Sequence, residues 1–363
     1  MQKKIKTLSI LFIVVCFSYL AAETLATSYS DGPYVFREGD AHVAYYIQNQ
    51  AVVKETLLIA DDGAYYLDWA GYSAQRVKLI EEFPQYKTSY SLPVKFITMS
   101  DMHGNLEGTI ELLRAGGVID PDYNWAYDGW LIIDGDILDR GEDTTKILWL
   151  LYHLWQQAAE SGRGKVIPML GNHETMTLRE REHEMEGKYA TTCELLGKTY
   201  NELYGKDSFI GMWMRSWQTI LTLDQYLFVH GGISPGLAEK YPDLDKLNQL
   251  ITGFYHDKPV DEDEITYIFR NNGPFWYRGY FYDEEKWEQS DPEIIKGILQ
   301  KYDLEKIIVG HTTTAQIKML QNQQIIAIDA GLKYQESGQA LLFQNNKFFV
   351  LASSGGISEL SSE

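Results

Sequence analysis

The sequence predicts an α/β fold preceded by a small β-rich extension. Three observations carry that expectation. From Pro93 onward a strand-like run, a polar loop and a helix-like run recur three times at βαβ spacing. The apolar runs are short, as in Trp130-Leu131-Ile132-Ile133, which has the length and composition of a buried strand. Residues 27–93 instead read as short β segments broken by turns.

Residues 1–26 read as a signal peptide. Lys3, Lys4 and Lys6 make a positive start, Leu8 to Leu20 is apolar, and Ala21, Ala22 and Ala26 suit signal peptidase. Cleavage after Ala22 or Ala26 gives an exported protein, periplasmic or secreted, with no stable membrane anchor; a retained anchor is the competing reading. Val14 and Val15 precede Cys16, which does not fit a lipoprotein site. In the extension, Ala41 to Ile47 and Ala51 to Ile59 are β-like, Asp61-Asp62-Gly63 turns, and Ala64 to Trp69 follows. Tyr86 to Pro93 reads as a linker into a catalytic domain, residues 94–363.

Val94 to Met99 is the first strand of that domain, and Leu106 to Ala115 a helix stopped by Gly116-Gly117. The strand at 130–134 is followed by a helix from Asp143 to Gln157, and Lys165 to Leu170 is the third strand. Glu174 to Asp224 reads as mostly helical, with Met212 to Trp217 read as core packing and a wall of the substrate cleft as the alternative. A strand at 226–229, loops from Tyr241 to Asp263, a helix from Glu293 to Tyr302 and a strand from Lys306 to Val309 follow. Ile325 to Ile328, Ala340 to Phe343 and Phe348 to Leu351 are expected to close the sheet as antiparallel β.

The chemistry gathers where the strands end. Asp134-Gly135-Asp136-Ile137-Leu138-Asp139-Arg140-Gly141 packs three aspartates and an arginine, which is unfavourable unless cations or ligands neutralise them. Strand ends also carry Asp101, His103, Asn172, His173, His230 and His311. This oxygen and nitrogen set, free of thiolate, suits two divalent ions such as Mn, Fe or Zn. Asp101, His103 and Asp136 are assigned to the first ion, and Asp136, Asn172, His230 and His311 to the second, so that Asp136 bridges. A phosphate ester is the natural substrate, because the ions would neutralise its charge and acidify a water between them. Arg140 and Arg278 are the candidate phosphate forks, with Asn172 beside them. His173 is the candidate general acid, oriented by Asp139.

Ser100 to Gly104, Gly135 to Gly141, Gly171-Asn172-His173-Glu174, His230-Gly231-Gly232, Arg278-Gly279 and Gly310-His311 together resemble the signature of the PPP-type, calcineurin-like metallophosphoesterases. The resemblance implies a central β-sandwich flanked by helices, and supports the ligand, acid and arginine roles at the matching positions. Ser100 departs from the family glycine. Ile328-Asp329-Ala330-Gly331 stands near the place of the family's Ser-Ala-Pro-Asn-Tyr element. With the export signal and the β extension, this is most similar to the Shewanella-like phosphatase branch. It implies phosphoprotein or phosphopeptide substrates, phosphotyrosine included. A symmetrical dinucleoside polyphosphate hydrolase is the alternative, and a non-catalytic metal-binding relative another.

Other classes are excluded. The formal net charge of −19 and the lack of a basic run leave no footprint for nucleic acid. Cys193 stands alone once residues 1–26 are removed, so an exported chain has no internal disulfide, and no nucleophile loop surrounds it. His42, His153, His183 and His256 belong to no ligand set, with His183 a weak outside candidate. Oligomeric state is not legible.

Overall fold

The computed structural model describes residues 29–69, 75–181, 187–334 and 338–361. The signal-peptide reading of residues 1–26 and His183 lie outside them. Among the described residues no helix is long and apolar enough to cross a membrane.

Two six-stranded sheets form the body, as the family resemblance implies. One runs β17-β16-β15-β7-β8-β9, from strands β7 (Lys95–Met99), β8 (Trp130–Ile133), β9 (Lys165–Pro168), β15 (Gln339–Gln344), β16 (Lys347–Ala352) and β17 (Ile357–Glu359). The other runs β13-β14-β12-β11-β10-β6, from β6 (Ser89–Tyr90), β10 (Ile220–Leu223), β11 (Tyr226–Val229), β12 (Lys306–Val309), β13 (Lys318–Leu320) and β14 (Ile325–Ala327). Their inner faces meet through Phe96, Ile132, Ile167, Leu221, Phe228, Ile308 and Ile326, all buried, with Phe96 edge to face on Phe228 across the sheets at 5.5 Å. Strands buried on both sides read as continuous apolar runs, which is why the parallel β7-β8-β9 core was visible from sequence.

Helices cover the outer faces. Helix α1 (Leu106–Ala115) and α2 (Thr144–Ser161) follow β7 and β8. Asn105 caps α1 by accepting from the Gly108 N–H at 3.1 Å, and α2 stops at Gly162, whose φ of 63° is the left-handed cap glycine favours. Helix α3 (Asn172–Leu178) follows β9; α4 (Gly187–Leu196), α5 (Tyr200–Leu203) and α6 (Phe209–Arg215) complete that layer. Trp213, Met214 and Trp217 are buried core, with the two indoles edge to face at 5.0 Å.

Four local readings are corrected. The helical reading of Glu174 to Asp224 ran through β10, an Ile-Leu-Thr-Leu strand buried at every position and turned back on β11 at Asp224 (φ 45°). The loop reading of Tyr241 to Asp263 missed α8 (Leu244–Tyr255), which follows α7 (Pro235–Lys240) and precedes α9 (Glu262–Ile268) and α10 (Pro292–Tyr302). Asp243 caps α8, and Leu247, Ile251 and Tyr255 bury one face at helical spacing. Ile325–Ala327 pairs parallel with β12, so it continues the βαβ sheet rather than the antiparallel end. The linker reading of Tyr86 to Pro93 overlooked β6, which pairs with Thr222 and Leu223.

The extension holds β1 (Asp31–Glu38), β2 (Ala41–Gln48) and β3 (Ala51–Thr56) as one sheet, and β4 (Tyr65–Trp69) and β5 (Gln75–Leu79) as a hairpin. It is β-rich as expected, but it is not a loose appendage. Tyr34, Val35 and Phe36 join the main core, and Trp149 of α2 donates to Pro33 O at 2.8 Å.

Candidate active site

The chemical residues predicted from sequence lie on loops leaving β7, β8, β11 and β12, except Asn172 and His173, which open helix α3 just after β9, and Arg278, which comes from a long loop. The first two loops are stitched by backbone hydrogen bonds. Asp101 N–H donates to Gly135 O at 3.1 Å, His103 N–H to Asp136 O at 3.0 Å, and Gly141 N–H to His103 O at 2.9 Å. The packing is so close that a Cβ on Gly135, already at φ 78°, would run into the Gly171 backbone and the His230 ring. Asp101, His103, Asp136, Asp139, Arg140 and His311 all sit at positive φ, a region Asp and His enter more readily than bulky residues. Left-handed backbone at six site residues is held in place by the surrounding sheets.

Glu174 is the residue sequence reasoning undervalued. Fully buried, it accepts from four backbone N–H groups: Asp136, Ile137 and Leu138 at 2.8, 2.8 and 3.0 Å, and Gly171 at 2.8 Å. One carboxylate thereby fixes the β8 loop to the start of α3. Glu174→Ala strands those donors and is expected to cost about 3–5 kcal/mol of stability, a steep fall in Tm by calorimetry. A variant within about 1 kcal/mol of wild type would contradict this role.

Asp136 is central. Its Oδ2 lies 3.2 Å from His230 Nε2, 3.5 Å from His103 Nε2 and 4.0 Å from His173 Nε2. Two groups of ligand atoms share it: His103, Asp136 and His173, and Asp136, His230 and His311. Asp101 Oδ1 stands 3.7 Å from His103 Nε2. Asn172 Oδ1 is 3.1 Å from His230 Nε2. The ring nitrogens facing away are anchored, His103 Nδ1 on Leu138 O at 2.8 Å and His230 Nδ1 on Asp134 O at 2.7 Å, which points both Nε2 atoms inward. His311 Nε2 is buried with no hydrogen-bond partner among the described residues. An inward-facing, thiol-free donor set with such an unsatisfied nitrogen fits divalent cations.

Burial opposes ionisation of Asp136, but His230 and His173 overrule it and hold its carboxyl far below the usual range. Burial likewise opposes the charged form of Asp101, and Lys333 and His103 keep it well below that range. His230 is raised to about 10 despite burial, by Asp136. His311 is lowered well below normal by burial and by Arg278, which favours its neutral imidazole. Asp134, which sequence reasoning could not place, contributes its carbonyl to His230, and burial pushes its own carboxyl well above normal.

His173 and Asp139 meet as expected, Nδ1 to Oδ2 at 2.6 Å. Burial lowers the His173 pKa, but Asp136 and Asp139 outweigh it and the net shift is upward. Arg140 is exposed on the wall of a cavity of about 660 Å³ that His103 also lines. Arg278 Nη1 donates to Thr312 Oγ1 at 3.3 Å, beside His311. Two residues were missed: Lys333, which donates to Asp329 Oδ2 at 2.8 Å and Asp101 Oδ1 at 3.3 Å, and Asp329 itself, pushed up to about 6 by burial and Asp101. The only signal was the Asp329-Ala330-Gly331 stretch.

The family model for calcineurin-like phosphoesterases matches residues 94–314. The chain belongs to this family. As a member it is a metallophosphoesterase with a mixed α/β fold. The crystal structure of a cold-active protein-tyrosine phosphatase from a psychrophilic Shewanella species superposes with a TM-score of 0.82 at 31% identity, covering 92% of this chain and 99% of that one. Shewanella-like protein phosphatase 2 of Arabidopsis thaliana is 26% identical over 292 residues, 68% of this chain and 73% of the relative. Shewanella-like protein phosphatase 1 of Plasmodium berghei is 25% identical over 248 residues, 66% of this chain and 67% of the relative.

Cys193 is half-buried, and burial pushes its thiol up to about 11, the reverse of an activated nucleophile. Cys193→Ser is expected to leave kcat within about twofold of wild type; loss of activity would assign the thiol a role.

Proposed function

We infer that the protein is a metal-dependent phosphomonoesterase acting on phosphorylated proteins or peptides, phosphotyrosine among them. The observation that carries this reading is Asp136 Oδ2 facing His103 and His230 together, with the His173–Asp139 pair at its side. Asp101, His103 and Asp136 would hold one divalent ion, and Asp136, Asn172, His230 and His311 the other. Bound there, the ions would neutralise the phosphate and acidify a water. Arg140 and Arg278 bind the phosphate oxygens that gain charge in the transition state, next to Asn172. His173, whose imidazolium form Asp136 and Asp139 favour, gives its proton to the leaving oxygen. The likeness to the Shewanella protein-tyrosine phosphatase and to the Arabidopsis protein phosphatase supports a protein substrate.

Exhaustive chelation is expected to abolish hydrolysis of a phosphotyrosine peptide, and Mn²⁺ to restore it. Turnover that survives complete metal removal sinks the reading. Diadenosine tetraphosphate should be the poorer substrate; a preference for it would favour the polyphosphate hydrolase instead. Export is part of the proposal, motivated by the charged, apolar and small-residue order of residues 1–26. Mass measurement of the mature protein should show a start after Ala22 or Ala26, and an intact N-terminus in the cytosolic fraction would refute it.

A further inference from the structure

The ligand, acid and arginine roles above leave Lys333 unused. It sits in a single 3-10 turn, Leu332–Tyr334, directly after Asp329-Ala330-Gly331. Its side chain is only 6% exposed, and its ammonium donates to Asp329 Oδ2 at 2.8 Å and Asp101 Oδ1 at 3.3 Å. A buried lysine is unfavourable unless paired, and here two carboxylates pair it. The turn is fixed on several sides. Asn105 Nδ2 donates to Leu332 O at 2.7 Å, Gly331 N–H to Asp329 Oδ1 at 3.1 Å, and Thr313 Oγ1 to Asp329 Oδ2 at 2.7 Å. Asp329 and Asp101 engage two of the three donors the Lys333 ammonium carries.

The same lysine lines the 660 Å³ cavity with His103 and Arg140. Among the described lining residues Lys333 and Arg140 are the lysine and arginine present, while Glu107, Glu111, Glu142 and Asp143 also line it. A phosphate dianion entering past those carboxylates is repelled unless cations stand beside the ligand cluster. Lys333 is built into that place, one hydrogen bond from a residue assigned to the first ion.

We propose that Lys333 is a third substrate-binding cation, donating to a non-reacting oxygen of the substrate phosphate, with Asp329 positioning its ammonium. This rests on the phosphomonoesterase reading. The competing role is a counter-ion for Asp101 alone. Calorimetric titration of inorganic phosphate into the Mn²⁺-loaded full chain separates the two, with Mn²⁺ content measured in parallel on wild type, Lys333→Gln and Lys333→Arg. Lys333→Gln is expected to weaken phosphate binding about tenfold at unchanged Mn²⁺ content, and Lys333→Arg to restore most of it. In turnover, KM rises more than kcat falls. Unchanged phosphate affinity in Lys333→Gln overturns the proposal, and so does a loss that tracks loss of Mn²⁺. A wild-type protein that hydrolyses no phosphomonoester sinks the phosphatase reading instead, while the titration still decides Lys333.

Discussion

Asp136→Asn is expected to lower kcat on an aryl phosphate by at least about a thousandfold, because the polarising charge it organises is worth several kcal/mol of transition-state stabilisation. The geometry makes the effect twofold. One oxygen, Oδ2, faces His103, His173 and His230 together, so removing its charge weakens both ligand groups. The amide retains an oxygen for the His173 N–H, which Asp136 Oδ1 accepts at 3.0 Å, so the start of α3 should stay in place. Metal analysis should show a loss at both positions rather than one. A variant that keeps two ions and acts within tenfold of wild type would remove Asp136 from the centre of the site.

His173→Asn is the second large loss, about 10²–10⁴ in kcat for a substrate whose leaving alkoxide is strongly basic. The loss should shrink as the leaving group becomes more acidic, since p-nitrophenolate departs with little help from a proton. The sign of the pH dependence follows from the raised pKa of His173. The imidazolium is present at low pH and disappears as pH rises through the folded-state pKa. Activity on poor leaving groups therefore falls on the alkaline side. Asp139→Asn removes a group that raises that pKa, so the fall should begin at lower pH. A leaving-group series measured across pH checks both statements. A kcat for His173→Asn that is uniformly reduced, whatever the leaving group, would make His173 a ligand or a scaffold and not the acid.

Most of the site could be read before the fold was seen, because the metal-type residues fall immediately after apolar strands and the order of strands then delivers them to one edge. Asp136 and Asp139 could be given different tasks from their places in one stretch, and the structure sets them apart: Asp136 faces His103, His173 and His230, and Asp139 faces His173. Lys333 was opaque since nothing local marks a lysine that reaches back 232 residues to Asp101. Glu174 looked like the end of a motif, yet its role lies in four amide contacts that only the folded backbone brings together. The missed elements have ordinary causes. Strand β10 continues an apolar helix-like run, and α8 hides behind Tyr241-Pro242-Asp243, which has the composition of a turn.

The left-handed backbone at Asp101, Asp136 and Asp139 also bears on the design of inert reagents. Alanine at these positions would remove the chemistry and add conformational strain, so a dead enzyme made that way would confuse lost catalysis with a distorted groove. Asparagine tolerates the same dihedrals, matches aspartate in volume and keeps one acceptor. Asparagine replacements are therefore the inactive forms that separate lost chemistry from a distorted groove. Crystals of such variants should show the loops of β7 and β8 unmoved.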